Sequence, residues 1–224
     1  MYKNIILIPY RNRQEHLDIF LKQTILLFYK YLKPFKIIII EQLNNKKFNR
    51  AKLLNIGYIL YKDHTKYFFH HDVDIIPIEE TIQDLYIDEN YDILRIYNGH
   101  NNSLGGIVKF KKESYEQING LPNYIWGWGI EDRTFYYRCN ILNLNISNNF
   151  TNKDNFLFLN HLSNSYIFED IKKNISENEN YIYFNETKEN KIKHMLSSGL
   201  NNLNFEIITK KELNQFTTLI QVDI

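Results

Sequence analysis

The residues with the most chemistry to offer lie in the run Gly120-Leu-Pro-Asn-Tyr-Ile-Trp126-Gly127-Trp128-Gly129-Ile130-Glu131-Asp132-Arg133. A Trp face is a platform for the apolar face of a sugar ring. A carboxylate beside that platform is where a general base for a sugar hydroxyl would sit. Gly127 and Gly129 free the backbone to move or to approach a ligand closely. The same residues also suit a buried Trp pair, with Glu131 and Asp132 as favourable charges at a helix N-terminus. A second cluster is Asp72-Val73-Asp74. Carboxylates at i and i+2, with Val73 pointing inward after an apolar run, suit a hard divalent cation that takes oxygen ligands and bridges to phosphates. Arg11 and Arg13 precede a helical pattern, where guanidinium forks could hold a phosphate. Arg50 is placed the same way, behind a Phe48 that could pack on a base. Solvated helix flanks would look no different.

The elements that must position these groups are legible in the spacing. Residues 4–9 form a short β-branched run, as do residues 36–41, and residues 67–71 form a third, aromatic one. Between them, residues 14–31 place Leu17, Phe20, Leu21, Thr24, Leu27 and Phe28 on one helical face, and residues 48–61 read as a second helix. Strand–helix–strand–helix–strand order predicts an α/β fold with a mostly parallel sheet flanked by helices. Ligands bind such sheets at the carboxyl ends of the strands. The segment 9–13 and the Asp72-Val73-Asp74 triplet both fall there, so they should face one crevice. Further on, residues 140–155 read as a loop, and 181–184, 204–209 and 219–224 as short strands.

Length and charge bound the rest. At 224 residues the chain is read as one domain, 1–224, with a core at 1–140 and a loop region with C-terminal elements at 141–224. Its 27 basic and 26 acidic residues leave a net charge of +1, giving no electrostatic case for a nucleic-acid partner. Cys139 is the single cysteine, so no internal disulfide forms. No apolar run reaches the roughly 20 residues of a membrane span, and residues 1–9 do not resemble a signal peptide. The expectation is a soluble, cytoplasmic protein without a membrane span.

Four stretches together resemble the motifs of the β-1,4-galactosyltransferases, in the same order. They are Ile8-Pro9-Tyr10-Arg11-Asn12-Arg13, Phe48-Asn49-Arg50-Ala51-Lys52-Leu53, Phe69-His70-His71-Asp72-Val73-Asp74, and Asn119-Gly120-Leu121-Pro122-Asn123 through Trp126-Gly127-Trp128-Gly129-Ile130-Glu131-Asp132. The resemblance covers about residues 4–140. It implies a GT-A fold and an inverting, metal-dependent transfer from a UDP-sugar, either UDP-galactose or UDP-N-acetylgalactosamine, to a glycan or glycoconjugate acceptor. It assigns Pro9, Arg11, Arg13, Phe48, Arg50, Asp72 and Val73 to the UDP site, with Gly106 on the donor side. It assigns Asp74 and His161 to the metal, Mn²⁺ or another divalent cation. Asp132 becomes the base with Glu131 beside it, Trp128 bridges donor and acceptor, and Gly129 and Arg133 join Asp132 on the acceptor side.

Departures from the pattern bear on substrate. Where the family continues its acidic pair with a third acid, this chain has Arg133, which points to a different or anionic acceptor. The metal segment is reduced to Phe158-Leu159-Asn160-His161, in which neither Phe158 nor Leu159 can ligate. Ser103 stands before Gly105-Gly106 where galactose-specific members have Tyr, leaving room for an N-acetyl group at the sugar C2. A catalytically silent carbohydrate- or UDP-binding module is the rival reading. A nucleotidyltransferase on a similar sheet is another, disfavoured by the Trp-Gly-Trp-Gly run.

Overall fold

Asn4–Tyr10 forms the central strand β1, buried along its whole length. Side chains alternate across it, so Ile5 and Leu7 enter one core while Ile6 and Ile8 enter another. Phe35–Gln42 (β2) repeats this with Ile38 and Ile40 against Ile37 and Ile39. A sheet buried on both faces needs such uninterrupted apolar runs. The structure is a computed structural model that describes residues 1–98, 100–147, 152–160, 169–176 and 187–224.

Strand β1 pairs in parallel with β2 and with Tyr67–His71 (β3). A separate two-stranded pairing joins Ile75–Pro77 (β4) to a later strand described below. Ile93–Tyr97 (β5) and Ile107–Lys111 (β6) extend the main sheet antiparallel beyond β3. Phe156–Phe158 (β7) is the antiparallel partner of β4. On the other side, Thr217–Asp223 (β9) pairs in parallel with β2, and Glu206–Asn214 (β8) closes the edge antiparallel to β9. Among the described residues the main sheet thus has seven strands in the order β5-β6-β3-β1-β2-β9-β8. The α/β reading holds, with a mostly parallel centre and antiparallel β6 and β8.

Helices cover both faces. Gln14–Tyr31 (α1) buries Leu17, Phe20, Thr24 and Phe28 on one, with Leu21 and Leu27 half-buried beside them. Arg50–Tyr61 (α2) covers the other. It starts two residues later than its apolar pattern suggests, because Asn49 caps it by accepting the Lys52 N–H. A short turn, Glu79–Thr81 (α3), precedes Lys112–Gln117 (α4) and Glu131–Ile141 (α5). Residues 169–176 form a helix, α6, and Lys188–Ser197 forms α7.

Three expectations change. The stretch read as a loop at 140–155 is not all loop, since α5 runs to Ile141 and Ile146 bridges Ile93, while residues 148–151 lie outside the described residues. The strand read at 204–209 extends to Asn214, because β9 supplies partners along its length, and β9 itself begins at Thr217. The strand read at 181–184 lies outside the described residues. Among those described, no helix is long and apolar enough to cross a membrane.

Candidate active site

Strand β1 ends in Tyr10, and the chain turns sharply through Asn12 (φ 52°) before α1. The turn sets Arg13 across from the loop after β3, where its Nη1 donates to Asp74 Oδ2 at 2.7 Å. Arg11 turns the other way, donating to the Lys46 carbonyl at 2.7 Å and lying 5.3 Å over the Phe48 ring. From the first turn of α2, Arg50 reaches Asp72 Oδ1 through Nε at 2.9 Å and Nη2 at 2.8 Å. The two strand-end loops therefore face each other, as the sheet topology required, and charge pairs join them. Val73 between the acids is buried.

The opposite wall comes from the Trp-Gly-Trp-Gly run and the start of α5. Ile130 holds a left-handed conformation (φ 68°) one residue before the helix, a region that β-branched residues avoid. Burial of its side chain and the Thr134 N–H to Ile130 O bond of 2.8 Å hold it there. This bend brings Glu131 and Asp132 to the cleft at the very first turn. Arg138 anchors the helix from below, donating to the carbonyls of Gly120 and Ser198 at 2.7 Å each. Asn55 on α2 ties the same wall to the core, exchanging bonds with Leu121 N and O and accepting from the Tyr115 hydroxyl.

A cleft of about 400 Å³ lies between these walls. Pro9, Arg11, Arg13, Phe48, Arg50, Asp72, Val73, Asp74, Gly106, Trp128, Gly129, Glu131 and Asp132 all line it, so thirteen widely separated sequence candidates converge. Tyr10, Gly105 and Gly127 join them. Gly105 has a steric reason to be glycine, since a Cβ there would lie 2.9 Å from Asp132 Oδ2. Arg133 and Ser103 do not line the cleft. Ser103 is fully buried with its hydroxyl donating to the His100 carbonyl, so its small size does not widen the cleft in this conformation. His161 lies outside the described residues.

Three guanidinium groups face four carboxylates here, and the balance shifts their protonation. Burial, then repulsion from Asp132, pushes Glu131 up to about 7, although Arg50 opposes the shift. Its Oε2 is closed off from solvent and has no hydrogen-bond partner among the described residues. Burial likewise raises Asp72, with Arg50 pulling against it. Arg50 is held charged: burial disfavours its cation, but Asp72 and then Glu131 more than compensate. His70 and His71, just before the acids, are buried and kept neutral, His71 down to about 4.

The donor set fits a hard divalent cation at Asp74. Asp72 and Asp74 offer carboxylate oxygens on one wall. Leu159 N–H donates to the Asp74 carbonyl at 2.9 Å, so the residue just after β7 is tied to this loop beside the β4–β7 pairing. Among the described residues, no three acidic, His or Cys side chains gather as a complete metal cage.

Two family profiles match the chain: the N-terminal region of glycosyl transferase group 7 over residues 1–87, and the N-terminal domain of galactosyltransferase over residues 89–162. Human β-1,4-galactosyltransferase 4 is 35% identical over 153 residues, covering 63% of this chain and 44% of that protein. Human β-1,4-galactosyltransferase 1 is 31% identical over 232 residues, covering 100% and 55%. The chain thus spans about half the length of these relatives. The catalytic domain of Drosophila β-1,4-galactosyltransferase 7, solved with xylobiose, superposes with a TM-score of 0.76 at 22% identity, covering 100% of this chain and 94% of that one. A mutant of that enzyme, solved with manganese, UDP-galactose and xylobiose, gives the same TM-score at 23% identity. The GT-A fold is therefore shared.

Proposed function

Since the chain belongs to the β-1,4-galactosyltransferase family, we propose that it is a metal-dependent, inverting hexosyltransferase. Its donor would be UDP-galactose, or UDP-N-acetylgalactosamine, and its acceptor a hydroxyl of a glycan or glycoconjugate. One observation carries the reading. The acidic pair at the head of α5 and the Asp72–Asp74 loop, with Arg13 and Arg50, form opposite walls of a single cleft.

In this reading the uracil packs near Phe48 and Arg11, and the diphosphate lies along Arg13 and Arg50. Asp74 and His161 would hold the divalent cation, while Asp72 seats Arg50 on the UDP side of the cleft. When bound, that ion offsets charge building on the departing diphosphate. Trp128 presents its ring to the sugars. Asp132 takes the proton of the acceptor hydroxyl. The freed oxygen attacks the anomeric carbon from the face opposite UDP, the C1–O bond to phosphate breaks, and UDP leaves with the electron pair. An α-linked donor thus gives a β-linked product. Glu131, with one oxygen shut away from the cleft, is the weaker candidate for base.

The test is UDP release from a panel of UDP-sugars, with and without Mn²⁺, beside Asp132→Asn. Mn²⁺-dependent release from UDP-galactose or UDP-N-acetylgalactosamine, falling by roughly 10²–10⁴-fold in the variant, is expected. Tight UDP binding with no turnover against any acceptor would instead indicate a silent binding module.

A further inference from the structure

Helix α6 contributes nothing to the machinery assigned above, yet it makes the polar contacts that hold the turn bearing Trp128. Asp170 and Asn174 lie one helical turn apart, both buried. Asn174 Nδ2 donates to the carbonyls of Trp126 at 3.2 Å and Trp128 at 2.8 Å. Asp170 Oδ2 accepts the Trp128 N–H at 3.4 Å, and its Oδ1 pairs with Lys47. The residue after Lys47 is Phe48, whose carbonyl accepts the Gly127 N–H at 2.8 Å. One carboxylate and one amide therefore clasp three distant segments: the loop before α2, the Trp-Gly-Trp-Gly turn and α6.

The fit is steric as well as polar. Gly127 and Gly129 have φ of +80° and +99°. A Cβ at Gly127 would fall 2.1 Å from Asp170 Oδ2, and one at Gly129 would fall 2.9 Å from Ile171 Cγ1. Both glycines of the alternation are thus demanded by the seating of α6, not by the cleft alone. Trp128, by contrast, keeps 48% of its surface exposed, so its own side chain is not fixed by burial.

We propose that Asp170 and Asn174 are positioning residues for Trp128. They fix the peptide groups on both sides of Gly127, and this sets how the Trp128 ring is presented to an acceptor. Lys47 makes that geometry continuous with the Phe48 wall. The consequence for an acceptor rests on the transferase reading, whereas the geometry does not.

The chain contains two Trp residues, so a Trp126→Phe background leaves Trp128 as the sole reporter. In that background Asn174→Ala, Asp170→Ala and the conservative Asp170→Asn are compared. The two alanine variants are expected to shift Trp128 emission and increase its acrylamide quenching. They should also raise acceptor KM by roughly tenfold, the worth of one or two lost hydrogen bonds, with UDP affinity by calorimetry unchanged. Asp170→Asn keeps an acceptor oxygen and should recover part of both effects. Unchanged Trp128 emission in folded alanine variants would overturn the proposal. So would a loss of UDP affinity in step with acceptor KM, which marks a general structural role. If Asp170→Ala does not fold, Asn174→Ala, which removes no charge, decides the matter. A wild-type chain that turns over no donor, with the emission shift present, would uphold the positioning role and sink only the transferase reading.

Discussion

Replacing Glu131 by Gln removes a carboxylate that the native cleft makes hard to ionise. Glu131 has an ordinary pKa of 4.5 and is held at about 7 in the folded chain by burial and by Asp132. The native state therefore binds this proton more tightly than the unfolded chain does. The wild type loses stability from this group as pH rises from 4.5 through 7, and the loss is complete above 7. At 1.36 kcal/mol for each pH unit between those values, the penalty at pH 8 comes to about 3 kcal/mol. Gln never ionises and escapes it. His70 and His71 act in the opposite direction, since their depressed pKa values make native stability rise with pH up to 6.5. They are present in both proteins and cancel in the difference. Urea unfolding of wild type and Glu131→Gln without added metal should therefore give nearly equal stabilities at pH 4.5. At pH 8 the variant should be more stable by about 3 kcal/mol, which in a parallel thermal melt is a gain of roughly 6–12 °C for a chain of this size. A difference that does not change between pH 4.5 and 8, or a variant destabilised at pH 8, would refute the electrostatic account of the cleft.

Two further outcomes are expected. Mn²⁺ at a hundred times its dissociation constant should stabilise the wild type by about 2.7 kcal/mol, and Asp74→Asn should abolish the rise seen in a thermal melt. Asn55→Leu should cost about 3 kcal/mol in chemical denaturation, because it strips Leu121 N, Leu121 O and the Tyr115 hydroxyl of their buried partner; a cost below about 1 kcal/mol would show that the α2–Gly120 junction reorganises freely.

The sequence by itself determined the central strands, because β1 and β2 are apolar on both faces and only a sheet covered on both sides accommodates that. It also determined α1, whose apolar period matches its buried face, and the convergence of residues 9–13 with Asp72–Asp74, since parallel strands put their carboxyl ends on one side. Local pattern could not show that β8 and β9 complete the sheet beside β2, because that pairing spans nearly the whole chain. Nor could it separate Ser103 from Gly105 and Gly106: all are small, and only packing turns Ser103 away from the cleft while the two glycines line it. Asp170 and Asn174 gave no signal, standing in a charged stretch without a motif. Their role exists only because tertiary folding seats α6 against two glycines more than forty residues earlier, and a pair of side-chain hydrogen bonds across that separation leaves no period in the sequence to read.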